Sequence, residues 1–446
     1  MSTHDMVVIG SGNAGMAAAG VARAAGWSVV VIEQALVGGT CPNHGCVPKK
    51  VLVAACEVVD HARRAAGQGV AGDLRIDWPA LQARRRTIVD PLPASMADSL
   101  ASRGIELVCG TAEFVGPRTV AVAGRTLVGR KVVIATGSMP RPLPFPGAEL
   151  VTSSDDALAL PSVPRTAAFI GAGVIGMELA HVLVRAGCER VIQLEVGPRA
   201  LMQADEEVVA ALAAHGRTLG VELRTGVVIE RVEREGARLA VRLAGERVVV
   251  DRVFHGAGRV ARVDGLEVER AGLRLERGRV PVGPDLRCTD DPDVAVVGDA
   301  AAGLPQLSPL ATSLGRLVGK NLVEDRTDAP DLSAVPSCVF AIPALAQVGL
   351  TEAAAAAQGR EVRVIRTAGI PGWISGRTLH EEAAFAKVLV DPGDRLLGAH
   401  LLGHGAAETI HLIALAMRHG ITRAALAAGD AAYPTYASDL RYLLGA

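Results

Sequence analysis

Two glycine-rich turns, each set between a short apolar run and a helical stretch, restrict this chain more than any other feature. Gly10-Ser11-Gly12-Asn13-Ala14-Gly15 follows Met6-Val7-Val8-Ile9 and opens an alanine-rich stretch over residues 16–25. Gly26 ends that helix before a second strand, Val29-Val30-Val31-Ile32, and Glu33. The pattern recurs: Ala168-Phe169-Ile170 precedes Gly171-Ala172-Gly173-Val174-Ile175-Gly176, a helix runs to about Arg185, and Val191-Ile192-Gln193-Leu194 leads to Glu195. In such a unit the glycines permit a tight turn and close approach of a pyrophosphate to the helix N-terminus. The acid roughly 20 residues on accepts hydrogen bonds from ribose hydroxyls. Two units therefore predict two bound dinucleotides.

At Glu195 a carboxylate accepts from a free 2′-hydroxyl and repels a 2′-phosphate, which favours NADH. Arg199 lies close enough in sequence to meet a phosphate, so NADPH stays open.

Bulk properties narrow the partners. A chain of 446 residues exceeds one ordinary core, and its 50% hydrophobic residues suffice to fill several. A formal net charge of -1 gives no reason to expect nucleic acid or an anionic membrane, and 3% aromatics leave no base-stacking platform. No apolar run reaches the length of a membrane span, and no basic segment precedes the first strand, so a cytoplasmic location is expected. Seven cysteines, an odd number, fit a reducing compartment. Cys56, Cys109, Cys188, Cys288 and Cys338 sit in mostly apolar contexts and are expected to be buried thiols.

The other two cysteines stand in Gly38-Gly39-Thr40-Cys41-Pro42-Asn43-His44-Gly45-Cys46-Val47-Pro48-Lys49-Lys50. A loop running into the first turn of a helix could bring them within disulfide range, and the helix N-terminus would stabilise the Cys46 thiolate. A structural disulfide or two unrelated buried thiols are the other readings of that spacing, though cytosolic chains seldom keep the former. Gly39-Thr40-Cys41, Cys46-Val47-Pro48 and Lys50, in tandem with the two fingerprints, resemble the redox-active segment of the flavoprotein disulfide reductases. That family includes glutathione reductase, dihydrolipoamide dehydrogenase and mercuric reductase, and the resemblance covers essentially the whole chain.

The resemblance implies an α/β fold with two Rossmann-like dinucleotide-binding domains and a C-terminal α+β dimerisation domain. Residues 1–150 would form the first part of the FAD domain, ending among Pro140, Pro142, Pro144 and Pro146. Residues 151–270 would bind NAD(P)H, 271–334 return to FAD, and 335–446 pair two subunits. FAD would be held by Gly10, Gly12, Gly15, Glu33, Gly39, Thr40, Thr136 and Gly137, with Asp299 after Gly298 meeting its ribityl chain. A helix cap is the plainer role for Asp299. NADH would be held by Gly171, Gly173, Gly176 and Glu195, with Gly258-Arg259 closing that domain.

Flavin suits a go-between, because nicotinamide does not reduce a disulfide efficiently by itself. By resemblance, NADH reduces FAD and FAD reduces the Cys41–Cys46 disulfide. Cys46 lies nearer the flavin, and Cys41, nearer solvent, attacks a small disulfide substrate. Lys49 would pair with Glu178 beside the flavin; a surface lysine and a helical glutamate are the alternative. Arg316 matches a family arginine near the disulfide. His44 is either a local base or a solvent-facing loop residue. A reductase of quinones, metal ions or other acceptors, and a non-catalytic redox sensor, are the rival functions.

The C-terminus departs from the family. The usual His-Pro-Thr, with a Glu three residues later, is here Tyr433-Pro434-Thr435, with Ser438 in the Glu position. A phenol with pKa near 10 donates a hydrogen bond at neutral pH but is never a cation. Tyr433 is therefore either a weaker proton donor or an interface packing residue. The tail carries no cysteine pair, so metal-ion delivery as in mercuric reductases is not expected, and no metal site is.

Overall fold

The structure, a computed structural model, describes residues 1–368, 377–378 and 380–445. Residues 369–376 and 379 of the domain expected over 335–446, and Ala446 at its end, lie outside these. The chain divides into two compact units: Met1–Lys49, Ala83–Arg141 and Arg259–Asp331, and then Lys50–Gln82, Pro142–Gly258 and Leu332–Ala446.

In the first unit the apolar run at the amino end becomes the strand Ser2–Ile9, paired in parallel with Val29–Glu33 on one side and Arg125–Ile134 on the other. Every residue of Val29–Glu33 is buried, as strands covered on both faces require. Glu106–Cys109 extends this sheet beyond Val29–Glu33, and Val294–Val296 pairs in parallel with Arg125–Ile134. The helix Asn13–Ala24 packs on Ser308–Glu324. That approach is close: a Cβ on Gly315 would lie 2.2 Å from the Ala14 carbonyl oxygen.

The second unit holds a four-stranded parallel sheet in the order Val221–Thr225, Arg190–Glu195, Thr166–Ile170, Arg252–His255. It also holds a five-stranded antiparallel sheet from Ser337–Val339 to Arg363–Ala368, against which the helix Ala406–Arg418 lays Ile410 and Ile413. Of the thiols expected to be buried, Cys56, Cys188 and Cys288 are. Cys109 is exposed, because the four-residue strand Glu106–Cys109 buries Val108 and turns its last side chain outward; Cys338 is half-buried. Among the described residues no helix is long and apolar enough to cross a membrane.

Beneath the helix Val174–Arg185, Arg185 is 2% exposed. Its Nε donates to Asp60 Oδ1 at 2.9 Å and its Nη2 to the Ile342 carbonyl at 2.7 Å. Burial pushes the Asp60 carboxyl up, but His404 and the Arg185 and Arg64 guanidiniums outweigh it and hold the group well below the carboxylate range. A carboxylate depressed in the folded state stabilises above its unfolded pKa and loses that contribution as pH falls. Arg185→Met should therefore cost about 3–5 kcal/mol at neutral pH, and the gap from the parent should close below about pH 4, as urea unfolding will show.

Candidate active site

The first glycine turn is shaped by contact. Gly10 has φ +106°, and a Cβ there would sit 2.3 Å from the Ala135 carbonyl oxygen. A Cβ on Gly15 would lie 2.0 Å from the Gly10 oxygen. Gly12, just before the helix, would instead project its Cβ into open space, where a pyrophosphate approaches the first turn. Glu33 Oε2 accepts from the Ser11 amide at 3.0 Å and its hydroxyl at 2.6 Å, and Oε1 accepts from the Ala35 amide. Ser11 Oγ accepts in turn from the Gly38 amide at 2.9 Å. One serine thus ties the glycine turn to the cysteine loop, while the Glu33 oxygens keep lone pairs for a ribose.

Gly39 caps the short helix Thr40–His44 with φ +67°, 2.9 Å in Cβ terms from Gly12 Cα. Thr40 is exposed at its first position. The Thr136 hydroxyl is buried without a hydrogen-bond partner, which marks a group outside the chain as its acceptor or donor. Gly137 beside it has φ +70°. Asp299, in the 3-10 turn Gly298–Ala300, makes no cap; its Oδ2 accepts from Ser138 Oγ at 2.9 Å. Arg259 Nε donates to the same Ser138 Oγ at 2.9 Å, so Arg259 faces the first unit's site. Burial pushes the Asp299 carboxyl up. These features fit FAD: an open glycine turn, an acid at the second strand's end, an orphan hydroxyl and a buried carboxyl.

Cys41 lies in Thr40–His44, and Cys46 is the first residue of the long helix Cys46–Ala65. Both are thiols, hydrogen-bonded to one another. The Cys46 sulfur raises the Cys41 thiol above its ordinary range, and burial adds to this. Cys46 Sγ lies 3.1 Å from Ser308 Oγ, and the Ser308 carbonyl accepts from Asn13 Nδ2 at 3.3 Å. Cys46 therefore neighbours the FAD-type turn. In the protein alone Cys46 is exposed and Cys41 half-buried, so the solvent order expected from the sequence does not appear in these exposures. His44 is exposed at the end of its helix. Arg316 is also exposed; Gly315 takes the face against Ala14, and eight residues of helix put Arg316 about 12 Å along the axis from Ser308.

The second turn repeats the first. Gly171 has φ +95°, Gly176 packs on its carbonyl, and Gly173 precedes the helix Val174–Arg185. Glu195 Oε2 accepts from the Ala172 amide and Oε1 from the Gly197 amide, both at 2.8 Å. Arg199 spends its guanidinium on the carbonyls of Ala200, Leu201 and Met202. Gly258, φ +88°, ends the second unit's middle segment. Glu178, 6% exposed, accepts from the Phe340 amide at 2.8 Å, and Lys49 is half-buried on the helix Cys46–Ala65. Tyr433 is 73% exposed. Ser438 is committed to a reciprocal box with Thr435. Ser11, Ser138 and Ser308 were invisible to sequence reasoning, since a lone serine carries no local pattern.

Residues 4–315 match the pyridine nucleotide-disulphide oxidoreductase family, and residues 335–443 match that family's dimerisation domain. The chain is 33% identical over 440 residues to a glutathione reductase of Burkholderia cepacia, covering 98% of this chain and 97% of that protein. It is 35% identical to a dihydrolipoyl dehydrogenase of Thermus scotoductus, covering 99% and 96%. It is 32% identical to a mercuric reductase of Streptomyces lividans, covering 98% and 95%. Among solved structures, the HOCl-induced flavoprotein disulfide reductase RclA from Escherichia coli superposes with a TM-score of 0.90 at 28% identity, over 99% of each chain. The chain belongs to the pyridine nucleotide-disulphide oxidoreductase family. It is an FAD- and NAD(P)H-dependent oxidoreductase acting on sulfur.

Because the Ser308 hydroxyl favours the Cys41 thiolate, which the Cys46 sulfur and burial oppose, Ser308→Ala should leave about tenfold less thiolate at a fixed alkaline pH. Ultraviolet thiolate absorbance of the reduced protein will show it; an unchanged titration would remove Ser308 from the site.

Proposed function

We propose that this protein is an NADH-dependent reductase of a small disulfide, acting as a homodimer in which Tyr433 of each subunit serves the other's sulfur pair. The observation that carries the reading is the hydrogen-bonded Cys41 and Cys46, placed beside the FAD-type turn through Ser308 and Asn13. Bound FAD supplies the exchange between a hydride donor and a dithiol. Lys49, three residues past Cys46 on the helix Cys46–Ala65, is the cation that would stabilise negative charge there.

The protein's own steps follow from the sulfurs. The Cys41 thiolate attacks one sulfur of the substrate; the substrate S–S bond breaks as a Cys41–substrate bond forms, and the departing sulfur takes a proton. Cys46 then attacks the Cys41 sulfur, the second thiol leaves with another proton, and the two cysteines end joined. Two electrons have passed to the substrate. Tyr433, through its phenol hydroxyl, is the proton donor to the first departing sulfur. NADH is favoured because Glu195 would repel a 2′-phosphate and Arg199 is occupied by backbone carbonyls.

One observation favours a second acceptor, a soft metal ion. A Cu(II) complex of RclA superposes on this chain with a TM-score of 0.89 at 27% identity, and a dithiol is a soft donor pair.

Cys41→Ser should lose turnover on small disulfides while still oxidising NADH with ferricyanide; a parent that turns over Cu(II) but no disulfide, and loses the Cu(II) turnover in Cys41→Ser, would favour the second reading. Specificity for NADH over NADPH, as kcat/KM, should be at least about tenfold, and equal values would refute the role given to Glu195. Tyr433→Phe should lower disulfide turnover about tenfold or more, and Tyr433→His should retain it with a pH profile moved toward imidazole ionisation. If neither change alters rate or profile, Tyr433 donates no proton.

A further inference from the structure

Tyr433 is the most exposed large aromatic of the described residues, yet its turn is firmly tied. Thr435 Oγ1 donates to the Ala432 carbonyl at 2.7 Å, closing the turn around Tyr433-Pro434. Thr435 and Ser438 exchange side-chain-to-backbone hydrogen bonds at 3.1 and 3.2 Å, and beyond them Asp439, Leu440, Leu443 and Leu444 are buried. An aromatic held outward by a fixed turn differs from one on a fraying tail, because its orientation is already set before any partner arrives.

The turn's seat is Gly405. Its φ of -86° and ψ of -2° suit any residue, so backbone freedom does not explain the glycine. Space does: a Cβ there would lie 2.2 Å from Cγ and 2.3 Å from Cδ1 of Tyr436. The Tyr436 ring lies flush on the Gly405 backbone, and burial pushes its phenol up to about 12. The seat is itself anchored one residue earlier. The His404 amide and Nδ1 both meet Glu381 Oε1, at 2.8 and 2.6 Å, while Nε2 lies 2.9 Å from Arg64 Nη2 and the ring sits 4.5 Å from that of His61.

We propose that Tyr436 is a positioning residue for the disulfide step, its ring on Gly405 fixing the turn that presents Tyr433 to the partner subunit. This rests on the reading of Tyr433 as proton donor. Tyr436 touches no reacting atom in this scheme and acts only through Tyr433.

The test uses the FAD-loaded dimer and four variants: Gly405→Ala, Tyr436→Leu, Tyr433→Phe, and Gly405→Ala with Tyr433→Phe. Two turnovers are compared, NADH with ferricyanide and NADH with the disulfide the parent reduces best. Gly405→Ala fills the seat without straining the backbone. It should slow disulfide turnover about tenfold, leave ferricyanide turnover, flavin content and dimer mass unchanged, and add nothing to Tyr433→Phe. If Gly405→Ala fails to assemble, Tyr436→Leu, which empties the seat, is judged by the same two turnovers. Parental disulfide turnover in Gly405→Ala overturns the proposal, as does equal loss of both turnovers or multiplied losses in the double variant. Tyr433→Phe at the parental rate overturns the proton-donor reading and this proposal together, whereas a slow Tyr433→Phe beside a fast Gly405→Ala overturns the positioning alone.

Discussion

The hydrogen bond between Ser308 and Cys46 joins two parts of the chain that nothing local would bring together. Ser308 opens the helix Ser308–Glu324, and that helix is fixed by the close approach of Gly315 to Ala14 on the helix Asn13–Ala24. Asn13 reaches back to the Ser308 carbonyl, and Ser11 links the same turn to Gly38. A dinucleotide turn, a helix start and a cysteine loop are thereby locked to one another within one unit.

The acids at the strand ends brace their own turns. Glu33 and Glu195 were expected as ribose acceptors, and both already accept from backbone amides of their own glycine turns. A carboxylate retains lone pairs for a further donor, so the two roles are compatible. Removing either acid would loosen its turn.

Much of this was legible in the sequence because the signals are local. Val29–Glu33 and Thr166–Ile170 announce themselves as continuous apolar runs, and the helix Val174–Arg185 ends where its pattern does. The helix that Cys46 opens was legible in the spacing, whereas Cys41 lies in a short helix, Thr40–His44, where a loop was expected. What stayed hidden acts at long range. Ser308 meets a residue 262 positions away and Ser138 one 161 positions away, and neither serine stands in a repeating pattern. At Arg316 a matched position identifies a residue, whereas the face it occupies is decided by Gly315 packing beside it. Cys109 looked buried in an apolar context, but strand alternation turned it out.

The C-terminal segment is where chemistry and family pattern part. A phenol replaces an imidazole, and Ser438 serves its own turn through Thr435. With Tyr433 as the proposed donor, such a site offers a proton without a cation, which suits substrates whose leaving thiol is acidic better than those whose thiol is strongly basic. The central claim is that electrons reach the substrate through the Cys41–Cys46 pair. Anaerobic titration of the purified holoprotein with NADH, counting electron pairs taken up per flavin, tests it directly. The parent should take up one more pair than Cys46→Ser; equal uptake by the two would contradict the account.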